Sequence, residues 1–150
     1  MTDVGNAELS KAAEVLVQTA LEVAVGERLV LVGDGPTASI LDALEEAGRA
    51  AGAEVASLRI DELRSHSTNH SGERPHKVLP DAVRRAMLSA QASVFVASAP
   101  RAEASMRDQL QHVVTACRVR HAHLPGITPE AFAAGLGASH ASIAESGKAL

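Results

Sequence analysis

The chain predicts a three-layer α/β fold in which a mostly parallel sheet of four or slightly more strands is flanked by helices on both faces. Three observations carry that prediction. Aliphatic runs, Leu29 to Val32 above all, are continuous rather than alternating, as strands covered on both faces require. The segments between them are amphipathic at helical spacing. The two kinds follow one another as helix, strand, helix, strand, long connection, helix, strand, helix, strand, helix, helix, an order that right-handed crossovers close into one sheet.

The first helix is expected over residues 7–25, with Asn6 as its N-cap and Leu9, Ala12, Ala13, Leu16, Val17, Ala20 and Leu21 recurring at three and four residues. Gly26-Glu27 ends it and delivers the chain into the first strand. Gly33-Asp34-Gly35 then turns the chain, and Pro36 suits the first helical position, where a missing N–H costs nothing. In the helix that follows, Ile40, Leu41, Leu44 and Ala47 share one face while Asp42, Glu45, Glu46 and Arg49 take the other. Gly52 closes the helix, and Glu54 to Ile60 reads as the second strand.

Asp61 to Lys77, DELRSHSTNHSGERPHK, is the largest shift in composition: polar, rich in histidine and broken by Gly72 and Pro75. It is expected to be a long connection of the functional or mobile kind. Pro80 and Asp81 begin a helix running to about Gln91 and burying Val83, Met87 and Leu88. Ala92 to Ala97 forms the third strand, and Ser98-Ala99-Pro100 turns the chain. Glu103 to Ala116 makes the next helix, with Met106, Leu110, Val113 and Val114 inward and Arg107, Asp108 and Gln111 outward. Arg118 to Leu124, RVRHAHL, alternates as a fourth strand, at an edge or near solvent. Pro125-Gly126-Ile127 closes it, Thr128 caps a short helix over residues 129–135, and Ala138 to Leu150 is a last helix made marginal by Gly147 and its small residues.

The 150 residues are expected to form a single domain, 1–150, with a core large enough to need neither metal nor disulfide. The hydrophobic fraction is 46% but the aromatic fraction 1%, so Phe95 and Phe132 stand in a core otherwise built of Ala, Val, Leu and Ile. Stacked aromatics and a basic groove are what single-stranded nucleic acid needs, and the net charge of −4 opposes duplex binding as well. No nucleic-acid partner is expected. The lone Cys117 forms no internal disulfide and reads as a buried structural thiol. The opening MTDVGNAELSK lacks the basic start and apolar core of a signal peptide, and no apolar run approaches the ~18 residues of a membrane span. A cytoplasmic protein without a membrane partner is the expectation.

Histidine is the residue type with catalytic capacity present at unusual density, seven in all. His66 and His70 have i,i+4 spacing and His76 follows, so these three are the candidate metal ligands, although the string lacks the intervening Glu of a zincin. His121 and His123 share a strand face as another ligand pair without a third member nearby in sequence. Solvated loop and strand-end histidines are the competing reading, and no metal site is assigned. No G-x-S-x-G elbow is present, Ser98 and Ser105 have no adjacent base, and Glu45-Glu46 lies on a solvated helix face, so no catalytic residue is assigned either.

GDGPTA matches the loose G-x-G-x-x-G/A dinucleotide fingerprint, with Ala38 at the third position. Asp34 would set a negative charge against a pyrophosphate, and of the acids available for a ribose, Glu54 begins its strand while Asp61 lies late. The expected functional surface is the crevice outside the carboxyl ends of the strands. Its lining would be Gly33, Asp34, Gly35, Thr37, the His66 to His76 loop, Ser98 and Gly126, with Arg101 and Arg107 available to meet an anion.

Three strings point to one family. They are the junction ALEVAVGERLVLV (Ala20 to Val32), the Ala-Gly-Ala-Glu-Val lead into the second strand, and above all LPGITPEAF from Leu124 to Phe132. Together they resemble the N-terminal half of the aminopeptidase T-like metallo-aminopeptidases, the leucyl aminopeptidase group with thermophilic members, over roughly Ala12 to Leu150. The resemblance implies a Rossmann-like domain and a two-metal site carried by Glu, His, Asp and Tyr residues of a later C-terminal domain. That domain is expected to be absent here, and with no tyrosine in the chain no ligand position transfers. After the third strand the family tends to carry a Ser/Thr-His-Thr string, where this chain has Ser98-Ala99-Pro100-Arg101-Ala102.

Three readings follow. The chain is a stand-alone, non-catalytic domain acting in binding or assembly, as a homo-oligomer or with a separate protein partner, on a peptide or small-molecule ligand. Alternatively it is a subunit or part of a metal-dependent aminopeptidase, with the divalent metal supplied by a C-terminal domain or partner. The last is a small nucleotide- or phosphate-binding protein using Gly33 to Thr37 at a helix N-terminus.

Overall fold

A computed structural model describes residues 5–66, 78–98 and 104–137. At its centre lies β1 (Arg28–Gly33), whose aliphatic residues Leu29 to Val32 are wholly buried. It pairs in parallel with β2 (Glu54–Arg59) on one side, Leu29 opposite Val55. On the other it pairs with β3 (Ala92–Phe95), Leu29 opposite Ala92, and β3 carries β4 (Arg120–His123), Ser93 opposite His121. The sheet is parallel throughout, in the order β2-β1-β3-β4. β4 is therefore an edge strand, in keeping with its mixed polarity.

Alternation along each strand divides the core into two layers. Leu29, Leu31, Ala92 and Val94 face α1 (Asn6–Glu14), α2 (Ala38–Ala50) and α6 (Pro129–Gly137), where Leu9, Leu16, Ile40, Leu44 and Phe132 meet them. Val30, Val32 and Phe95 face α3 (Ile60–His66), α4 (Asp81–Met87) and α5 (Ala104–Ala116), through Ile60, Val83, Met87, Met106 and Leu110. Each described helix buries the stripe its spacing predicted. The result is a three-layer α/β fold with six α-helices among the described residues.

Four boundaries differ from the sequence expectation. α1 widens into a π-helical turn over Val15–Ala20, where Leu21 N–H donates to the Leu16 carbonyl, and Glu22 at φ 49° ends it. Leu21 and Val23 are both buried two positions apart, which extended chain permits and a continued helix does not; Val25 is 83% exposed. Ile60 opens α3 rather than closing β2, so the first part of the polar connection is helical. α4 stops at Met87 because Val83 and Met87, four apart, take the core positions, and Leu88, a further 100° round the helix, is 71% exposed. The fourth strand starts at Arg120, since Arg118 adopts a positive φ of 55° after α5. Cys117, expected to be buried, is half-buried against the α4/α5 layer. The helix expected from Ala138 lies outside the described residues.

Among the described residues no helix is long and apolar enough to cross a membrane.

Candidate functional site

The chain leaves β1 toward β2 on one side and reaches β3 on the other, so the carboxyl ends of β1 and β3 form the crevice where such sheets present their binding surfaces. Here Asp34 is the organising residue. Its Oδ2 accepts the Ser98 backbone N–H at 2.7 Å, tying the turn after β1 to the turn after β3. Its Oδ1 accepts the Thr37 hydroxyl at 3.1 Å, while Thr37 Oγ1 accepts the Asp34 N–H at 3.1 Å. Gly35 to Thr37 form a single 3₁₀ turn into α2, with Pro36 inside it as expected.

The donors at this helix start are already matched. Thr37 N–H donates to the Asp34 carbonyl at 3.1 Å, and Gly35 N–H donates to Asp61 Oδ2 at 3.0 Å. Asp61, too late in sequence for the fingerprint spacing, stands at the start of α3 immediately beyond β2 and reaches the turn. Two carboxylates thus occupy the ground where a phosphate would sit.

Gly126 closes the crevice from the far side. Its N–H donates to the Ala97 carbonyl at 2.9 Å, its φ is 71°, and an added Cβ would touch the Ser98 carbonyl at 3.4 Å. Gly33, Asp34, Gly35, Thr37, Ser98 and Gly126 are therefore brought together as expected. Arg101, His70 and His76 lie outside the described residues, and His66 ends α3. Among the described residues no group of three His, Cys, Asp or Glu side chains is placed to hold a metal ion.

A second polar cluster lies one strand further out, on the α5 side of the sheet. Parallel register sets Ser93 beside His121 and Phe95 beside His123. Ser93 Oγ is 2.6 Å from His121 Nδ1, His121 Nε2 is 3.2 Å from His123 Nδ1, and the His123 ring stacks on Phe95 at 5.0 Å between centroids. Burial, and then the neighbouring His123, lower the His121 pKa to about 4; burial, and then the Arg107 guanidinium, lower that of His123. Both rings are neutral at pH 7. Ser93 and His121 have the spacing of a nucleophile and its base, but Ser93 is fully buried between strands, where no substrate reaches it.

Arg107, expected to point outward, is half-buried, and its Nε is buried without a hydrogen-bond partner among the described residues. Sequence alone paired His121 with His123 by alternation. It gave no sign of Ser93 or Arg107, because those join only once β4 is known to lie beside β3.

Fold and site together define a parallel three-layer α/β domain with a binding crevice at its carboxyl edge. Solved structures similar to it include wild-type AmpT from Thermus thermophilus, at a TM-score of 0.51 and 13% identity, over 89% of this chain and 42% of that one. At that distance the likeness is one of fold, an aminopeptidase-like one, and the chain spans less than half of AmpT. No family model and no curated protein matches the chain.

Proposed function

We propose that this chain is a binding or assembly domain of the aminopeptidase N-terminal kind, non-catalytic by itself. The observation that supports this reading is how the carboxyl edge uses its polar groups. Asp34, Thr37, Asp61 and Ser98 hold one another and the backbone, which fastens loops rather than activating a reactant. Ser93 and His121 are enclosed by the sheet. The domain's natural role is to present this crevice to a peptide or small molecule, within a homo-oligomer or beside a separate protein partner, in the cytoplasm.

The 42% coverage of AmpT, a thermophilic aminopeptidase, favours a second reading, in which the chain is one part of a metal-dependent aminopeptidase. The divalent metal would then belong to a C-terminal domain or a companion chain. The nucleotide or phosphate reading has the least support, because Gly35 and Thr37 N–H already have acceptors and the nearest side chains are acidic.

Hydrolysis of leucine 4-nitroanilide in the presence of Zn²⁺, Co²⁺ or Mn²⁺, with sedimentation velocity on the same protein, tests this. The expected result is no metal-dependent turnover together with an assembly that grows with concentration. Turnover by the chain alone overturns the proposal, and turnover restored by a metal-bearing companion selects the second reading.

A further inference from the structure

The second cluster has a direction that its hydrogen bonds fix. Ser93 Oγ makes no hydrogen bond among the described residues other than that to His121 Nδ1. The hydroxyl proton of this fully buried serine therefore goes to that nitrogen, because leaving it unmatched inside the sheet would cost about 1–3 kcal/mol. A neutral imidazole that accepts at Nδ1 carries its proton on Nε2. His121 Nε2–H consequently donates to His123 Nδ1, and the same rule places the His123 proton on Nε2. The relay runs from the buried serine outward and ends in a donor, His123 Nε2–H, with no partner among the described residues. Beside it lies Arg107, close enough to disfavour a charge on His123, with a buried Nε–H equally unmatched.

We propose that Arg107 Nε–H and His123 Nε2–H, with Ser93 and His121 fixing the His123 tautomer, form a carboxylate-binding site at the carboxyl edge of β3 and β4. A guanidinium presents Nε–H and an adjacent Nη–H as a planar fork that matches a carboxylate. One arginine and two neutral histidines amount to a single positive charge, suited to a monoanion. A phosphate dianion would meet Asp34 and Asp61 near the end of β1, two strand spacings or about 10 Å away. A metal ion is disfavoured by the arginine and by the use of both facing ring nitrogens in the His121–His123 hydrogen bond. Ser93 and His121 are positioning residues. The proposal rests on the binding reading above and names what would be bound: a carboxylate, from a peptide C-terminus or from an acidic side chain.

The test is a titration of the full ¹⁵N-labelled chain at constant ionic strength, following the arginine Nε–H and histidine ring resonances. Acetyl-glycyl-leucine supplies a terminal carboxylate and acetyl-aspartic acid α-amide a side-chain one; the controls are acetyl-glycyl-leucine amide and inorganic phosphate. The expected result is saturable movement of the Arg107 and His123 signals with either carboxylate, the tighter one naming the source, and none with the amide. Arg107→Lys, which keeps the charge and loses the fork, is expected to weaken binding at least about tenfold, roughly 1.4 kcal/mol. Ser93→Ala is expected to shift the His123 ring nitrogens from the Nε2–H pattern toward a tautomer mixture while the backbone spectrum stays folded. Equal response to the amide, tighter binding of phosphate, or an Arg107→Lys titration matching wild type would overturn the site. Such a failure beside an intact assembly leaves the binding reading standing, whereas turnover by the chain alone removes that reading whatever this titration gives.

Discussion

Asp34 and Ser98, 64 residues apart, are joined by a 2.7 Å hydrogen bond from the Ser98 N–H to the Asp34 carboxylate. That bond holds shut the point where the two halves of the sheet diverge. Asp34→Ala leaves the Ser98 N–H and the Thr37 hydroxyl without their acceptor, though Ser98 is exposed and water replaces part of the loss. A cost of about 1 kcal/mol is expected, seen as a fall of roughly 2–4 °C in Tm. An unchanged Tm would show that the bond does not hold the crevice.

His121 makes stability depend on pH in a defined direction. Its pKa is about 4 in the folded chain against 6.5 for the free side chain, from burial first and His123 second. As pH falls below 6.5 the unfolded chain takes up a proton that the folded chain refuses, so stability is complete above pH 6.5 and is lost progressively down to about pH 4. The gap is worth at most about 3 kcal/mol, and His123, depressed by burial and Arg107, adds in the same direction. Urea unfolding at several pH values should show His121→Gln with a flatter decline than wild type. Parallel declines would contradict the buried neutral imidazole.

Gly48 marks where α2 rests on the sheet. An added Cβ would stand 2.7 Å from Val55 Cγ2 and 2.8 Å from Leu29 Cδ2. Replacing glycine by alanine inside an open helix gains about 1 kcal/mol, whereas overpacking costs about 1–3 kcal/mol. Gly48→Ala is therefore expected to destabilise by about 1 kcal/mol in chemical denaturation, and a stabilised variant would show the contact to be looser than described.

At the opposite end of the sheet Arg120 Nη2 lies 2.6 Å from both carboxylate oxygens of Glu27, and holds the Glu27 pKa below its usual value together with the Ala24 N–H. The pair contributes above the unfolded pKa of 4.5 and is lost as pH falls below it. It faces solvent, so Arg120→Gln should cost less than about 1 kcal/mol. That difference should shrink in about 1 M salt, where the Debye length is about 3 Å.

The strands and the buried helix faces were legible because periodicity alone reports them. Leu29 to Val32 reads as a two-sided strand, and Ile40, Leu41, Leu44 and Ala47 read as a buried stripe, whatever surrounds them. What stayed hidden depends on neighbours distant in sequence. Val25 and Leu88 are apolar yet exposed, because each is carried past the end of a face already filled. Asp61 looked like part of a polar connection until β2 brought it to the Gly35 N–H. Arg107 followed an outward-facing periodicity, and only the docking of α5 over β4 sets it beside His123. In the crevice, glycine and turn chemistry found Asp34 and Ser98; the sheet order β2-β1-β3-β4, which no local signal encodes, found the Ser93–His121–His123 relay.

The account's central claim is that this chain binds and does not itself house a hydrolytic metal centre. The most direct measurement is metal content, on untagged protein incubated with excess Zn²⁺, Co²⁺ or Mn²⁺ and then desalted. Retention far below one metal per chain is the predicted result. Near-stoichiometric retention that disappears when His66 and His70 are replaced would contradict the claim and place a metalloenzyme within these 150 residues.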